Sequence, residues 1–141
     1  PTDLQAPFMA LMTIAKGSSK ITETIFENRM NHVDLLNQMG SSITLKDNVA
    51  HINGVKKLRG MTLVGLDLRS SAALIIAALT SKSVSYVYGL EHLDRGYENF
   101  EQKLSKLGIE IKRQITKRTI SEYSYDNSHS NNKEISEIKA A

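Results

Sequence analysis

Asp67-Leu68-Arg69-Ser70-Ser71-Ala72-Ala73-Leu74-Ile75-Ile76-Ala77-Ala78-Leu79 decides how this chain is read. From Ala72 to Leu79 eight residues in succession are apolar. A helix on a protein surface keeps a polar stripe; this segment has none beyond its first turn, so it predicts a helix over 69–79 that is buried on most sides. Eight apolar residues fall far short of the ~20 that cross a bilayer, so no membrane span is expected. A helix buried nearly all round must be covered by other elements, and strands alternating with it on either side make the expected class α/β.

Reading outward, Met61 to Leu66 has the composition of a strand leading into Asp67, and Ser83 to Tyr88 that of a strand following the helix. A second helix near Gly96 to Leu107 and a strand at Ile109 to Ile115 complete the pattern. The same order occurs earlier. Asp3-Leu4-Gln5 opens an apolar helical stretch from Leu4 to Lys16, Ser19 to Ile25 reads as a strand, and Val33, Leu36 and Met39 mark a helix closed by Gly40. Ile43 to Leu45 and Val49 to Ile52 flank a turn at Lys46-Asp47-Asn48. The offset between copies is 64 at Asp3 and Asp67, 66 at Arg29 and Arg95, and 68 at Gly40 and Gly108. Two βαβαβ(β) units, about 1–60 and 61–115, therefore follow one another. The first lacks an opening strand, so the chain is expected to be part of something longer.

The 141 residues hold 18 Lys and Arg against 15 Asp and Glu, with no block of like charge. That even spread disfavours a nucleic-acid surface. Residues 116–141, rich in Ser, Asn and Glu, are expected to form a polar, disordered tail beyond a domain of residues 1–115. Zero Cys removes thiolate metal sites and disulfides, and no secretory leader is recognisable, so a cytoplasmic setting is expected.

Few residues stand out as chemical. Asp3 and Asp67 occupy matched positions before helices, where a carboxylate can cap the first turn or serve as a base; spacing does not separate the two. Arg29 and Arg95, also matched, offer planar forks suited to carboxylate or phosphate, or to ordinary surface ion pairs. His32, His51, His92 and His129 have no metal-ligand spacing, and no glycine-rich phosphate loop is present. Tyr86 and Tyr88 alternate as sheet packing requires. No metal or cofactor is expected.

Four strings, Pro1-Thr2-Asp3-Leu4-Gln5-Ala6-Pro7, Glu23-Thr24-Ile25-Phe26-Glu27-Asn28-Arg29, Asp67-Leu68-Arg69-Ser70-Ser71-Ala72-Ala73 and His92-Leu93-Asp94-Arg95-Gly96-Tyr97-Glu98, resemble in order and spacing the C-terminal third of the enolpyruvyl transferase family, in its branch acting on UDP-N-acetylglucosamine. The second string sets that branch apart from the related shikimate-pathway transferase. The resemblance implies an inside-out α/β barrel of βαβαββ units, helices inside and sheets outside, with two units present. It also implies transfer of the enolpyruvyl group of phosphoenolpyruvate to the 3-hydroxyl of UDP-N-acetylglucosamine with release of phosphate, the first committed step of peptidoglycan synthesis. Carried across position by position, Asp3 is the carboxylate that accepts the hydroxyl proton. Ile25 is a backbone contact to the sugar nucleotide, Arg29, Asp67 and Arg69 are active-site residues, and Arg95 lies near phosphoenolpyruvate. The proton donor belongs to parts of the family not represented here, so the chain alone is expected to be inactive. The alternatives are the shikimate-pathway transferase and a non-catalytic module that binds anions or nucleic acid.

Overall fold

The computed structural model describes residues 1–116 and 135–140. The first unit consists of a 3-10 turn at Thr2–Leu4, α1 Gln5–Met12, β1 Ser18–Thr22, α2 His32–Gln38, β2 Ser42–Lys46 and β3 Val49–Asn53. The second consists of β4 Thr62–Val64, α3 Leu68–Leu79, β5 Ser85–Tyr88, α4 Leu90–Leu93, α5 Phe100–Ser105, β6 Ile111–Thr116 and β7 Ile135–Ala140.

The sheets reproduce the repeat in three dimensions. The first has the order β1-β3-β2, both pairings antiparallel. The second has the order β4-β5-β7-β6, with β4 parallel to β5 and the other pairings antiparallel. Thus β5, β6 and β7 stand to one another as β1, β2 and β3 do, and among the described residues β4 has no counterpart in the first sheet. Lys46 pairs with Val49, so only Asp47 and Asn48 join β2 to β3, whereas 117–134 join β6 to β7.

That placement corrects the expectation of a polar tail over 116–141. Thr116 ends β6, and Ile135–Ala140 forms an inner strand, with Ile138 opposite Val87 on one side and Arg113 on the other. Ile138 and Ala140 are fully buried on either side of Lys139, a two-residue alternation too short to register among Ser, Asn and Glu. The expected tail otherwise falls on residues outside those described. Other boundaries shift modestly. The helix expected over Leu4 to Lys16 ends at Met12, because the Thr13 hydroxyl donates to the Ala10 carbonyl at 2.6 Å while its N–H is shared between the Met9 and Ala10 carbonyls. A short helix, α4, that the sequence pattern does not signal stands between β5 and Arg95.

Helix α3 is buried as its sequence requires: no residue from Leu68 to Leu79 is exposed, and Ala73, Leu74, Ile75, Ala77 and Ala78 are fully covered. Its principal helical neighbour is α1, which turns Ala6, Met9 and Ala10 inward. Small side chains on both helices allow close approach. Helix α2 ends in a Schellman motif: Gly40, at φ +90°, donates to the Asn37 carbonyl and Ser41 donates to that of Leu36. One continuous core joins Leu36 and Ile52 of the first unit to Leu63, Val87 and Ile138 of the second. The packing of α1 on α3 brings the starts of the two helices side by side.

Candidate functional site

The matched aspartates have different roles. Asp67, in extended conformation, accepts hydrogen bonds from the Arg69 and Ser70 N–H groups at 2.8 and 2.9 Å, and the Ser70 hydroxyl binds the Asp67 N–H in return. This is a capping box that anchors the buried helix. Asp3 caps nothing: it lies inside the 3-10 turn, and neither that turn nor α1 has a side-chain cap. Its carboxylate instead faces the neighbouring helix start, where Arg69 Nε and Nη2 donate to Oδ1 at 2.8 and 2.6 Å. Arg29 Nη1 reaches the same oxygen at 3.5 Å. Among the described residues no group donates to Asp3 Oδ2. The hydrogen bond from Arg69, with its charge and that of Arg29, holds the Asp3 carboxyl below the usual range. Asp3 remains 71% exposed, so the two guanidiniums set its orientation more than they add stability.

A buried acid holds the loop that delivers Arg29. Glu23 is 4% exposed; its Oε1 accepts from the Ile25 and Phe26 N–H groups at 2.9 and 3.3 Å, and its Oε2 from the Thr2 hydroxyl at 2.6 Å. The Thr2 oxygen in turn accepts from Arg29 Nη1 at 3.0 Å. The Thr2 bond, backed by those backbone donors, lowers the Glu23 pKa. The loop is also pinned by Asn48, whose side chain donates to the Glu23 carbonyl at 2.6 Å. Arg29 lies 3.7 Å above the Phe26 ring, which directs its fork along the loop. This loop and the β2–β3 turn line a cavity of about 490 Å³ that includes Glu23, Arg29 and Asn48.

The structure therefore brings Asp3, Arg29 and Arg69 together, with Asp67 beneath Arg69 as its backbone anchor. Ile25 is 67% exposed; its N–H is taken by Glu23, and its carbonyl accepts no hydrogen bond among the described residues. Arg95 stands apart in the turn between α4 and α5, exposed and without an ion pair among the described residues. Sequence reasoning missed Thr2 and Glu23. A Glu beside Thr residues reads as solvated, and only the packing of the loop on the helix start buries it. His32 is covered at the start of α2, and burial pushes its pKa down to about 4, against the pull of Asp67. Among the described residues no group of three His, Cys, Asp or Glu could hold a metal ion.

Tandem mixed units with helix starts abutting, and a carboxylate held between two arginines, define an α+β protein. The profile of the EPSP synthase family (3-phosphoshikimate 1-carboxyvinyltransferase) matches residues 1–104, and the chain belongs to that family. It is 88% identical over all of its 141 residues to a UDP-N-acetylglucosamine 1-carboxyvinyltransferase of Prochlorococcus marinus subsp. pastoris, covering 31% of that protein. A protein of the same name from another Prochlorococcus marinus strain is 63% identical over the whole chain, again with 31% of its length covered. The chain thus spans about a third of the curated relatives it matches. Among solved structures, the enolpyruvyl transferase NikO from Streptomyces tendae superposes with a TM-score of 0.68 at 30% identity, over 75% of this chain and 25% of that one. EPSP synthase from Acinetobacter baumannii, at 12% identity, has a TM-score of 0.55 over 98% of this chain and 46% of that one, a likeness of fold alone.

Proposed function

We propose that this chain is the part of a UDP-N-acetylglucosamine 1-carboxyvinyltransferase that supplies the proton-accepting carboxylate and several of the arginines of its active site. The observation that carries the proposal is the state of Asp3: uncapped, fixed through Oδ1 by Arg69, with Oδ2 open. A general base must have one oxygen free and a defined direction, and this arrangement provides both. Asp3 Oδ2 takes the proton from the sugar 3-hydroxyl as that oxygen adds to phosphoenolpyruvate. Loss of phosphate from the resulting tetrahedral ketal then gives the enolpyruvyl product. In an open site a carboxylate held low by two arginines is a weak base; a dry, closed cleft raises its basicity. Arg29 and Arg95 hold the anionic groups, and the Ile25 carbonyl is the free backbone acceptor for the sugar nucleotide. Asp67 acts through the backbone of Arg69. The reaction proposed needs no metal.

The substrate assignment follows the relatives, which carry the UDP-sugar name at 63 and 88% identity, over the shikimate-pathway name attached to the family profile. The cytoplasm, where peptidoglycan precursors are made, is the corresponding location, and no helix among the described residues is long and apolar enough to cross a membrane. The barrel with helices inside finds support in α3, none of whose residues is exposed, and in an apolar stripe of Leu4, Phe8 and Leu11, running from the 3-10 turn onto α1, left open here. In the full-length protein, Asp3→Ala is expected to lower turnover by about 10²- to 10⁴-fold while UDP-N-acetylglucosamine binding, read by calorimetry, survives in part. Turnover within a few-fold of the parent would remove Asp3 from the reaction.

A further inference from the structure

Arg95 makes no ion pair among the described residues, so its direction is set by the turn that carries it. That turn is held on three sides. Leu90 and Leu93 of α4 are fully buried, and the Leu93 carbonyl accepts from the N–H groups of Gly96 and Tyr97 at 3.2 and 3.0 Å. Gly96 rests on the first residue of α3: a Cβ there would stand 2.9 Å from Leu68 Cδ2. The third side is polar. Arg113, on β6, grips the Asp94 carboxylate with both arms, Nη1 to Oδ2 at 2.9 Å and Nη2 to Oδ1 at 2.6 Å, and its Nη2 also reaches Glu101 Oε2 of α5 at 3.3 Å.

Energetics alone do not account for this contact. Asp94 is 47% exposed, and a pair so open to water contributes little to stability. What a two-armed fork supplies is orientation, because both carboxylate oxygens are fixed at once in one plane. Asp94 is the residue immediately before Arg95, and Arg113 is the strand residue that ties it to the second sheet.

We propose that Arg113 is a positioning residue that aims Arg95, through Asp94, at the anionic group of the substrate. The proposal rests on the reading of Arg95 as a grip for phosphoenolpyruvate. It is tested in the full-length protein by steady-state kinetics on R113M, R113K, R95A and the double variant R95A/R113M. R113M is expected to raise KM for phosphoenolpyruvate about tenfold while KM for UDP-N-acetylglucosamine stays within twofold. R113K, which keeps the charge without the fork, recovers only part of the loss. In the R95A background R113M adds less than a further twofold. A parental KM in R113M beside an impaired R95A overturns the proposal, as does an equal penalty from R113M in both backgrounds, the mark of a general loss of structure. A parental KM in R95A overturns the reading of Arg95 itself, and the proposal falls with it. Should R113M fail to fold, Asp94→Asn, nearly the same in shape, carries the same expectations.

Discussion

Asp3 and Asp67 show how one sequence word acquires two uses. Each precedes a helix, yet Asp67 is extended and binds its own helix start, while Asp3 is wound into a 3-10 turn and turns outward to Arg69. Burial makes a similar distinction at His32. Its folded pKa of about 4 lies below the 6.5 of an unfolded chain, so the folded state binds fewer protons as pH falls between those values. Its stabilising contribution is complete above pH 6.5 and declines toward pH 4, by about 3 kcal/mol at 1.36 kcal/mol per unit. Thermal unfolding of the full-length protein is expected to show a midpoint that drops over this range and a flatter profile in His32→Gln. Equal slopes in the two proteins would leave His32 without a part in acid sensitivity. Asp67, capped onto Arg69 and Ser70, is the charged group whose pull on His32 opposes this loss.

At the scale of elements, β7 is the instructive case. Ile138 is fully buried between Val87 and Arg113, and truncating such a side chain costs about 2–5 kcal/mol. Ile138→Ala is therefore expected to lower the denaturant midpoint of the protein clearly; a change below about 0.5 kcal/mol would be the surface value and would place 135–140 outside the sheet. The apolar run of α3 and the alternating strands around Asp47 were legible because their periodicities are long or sharply punctuated. Strand β7 was not, since its pairing is long-range and its six residues include only a brief alternation. The site divided likewise. Asp3, Arg29, Asp67 and Arg69 were named from the sequence, but that Arg69 would clasp Asp3 depends on α1 packing against α3, which joins residues 66 positions apart. Glu23 and Thr2 were hidden for the same reason: their chemistry arises from a contact 21 positions apart.

At the scale of the molecule, the chain has a covered core and an uncovered helix face. Leu4, Phe8 and Leu11 stand at successive helical turns, between 48 and 57% exposed, beside the site. If that face belongs against further protein, the 141 residues alone are expected to give no product from phosphoenolpyruvate and UDP-N-acetylglucosamine. Turnover above background by the isolated chain would contradict this. The two sheets also differ in when they can form. Hairpin β2–β3 closes over two residues, whereas β7 must enter between β5 and β6 after 46 intervening residues from the end of β5. Because β5 and β6 are separated by β7 and do not pair with each other, β6 can join the sheet only through β7, and its pairing is expected to be a later event in refolding than closure of the β2–β3 hairpin.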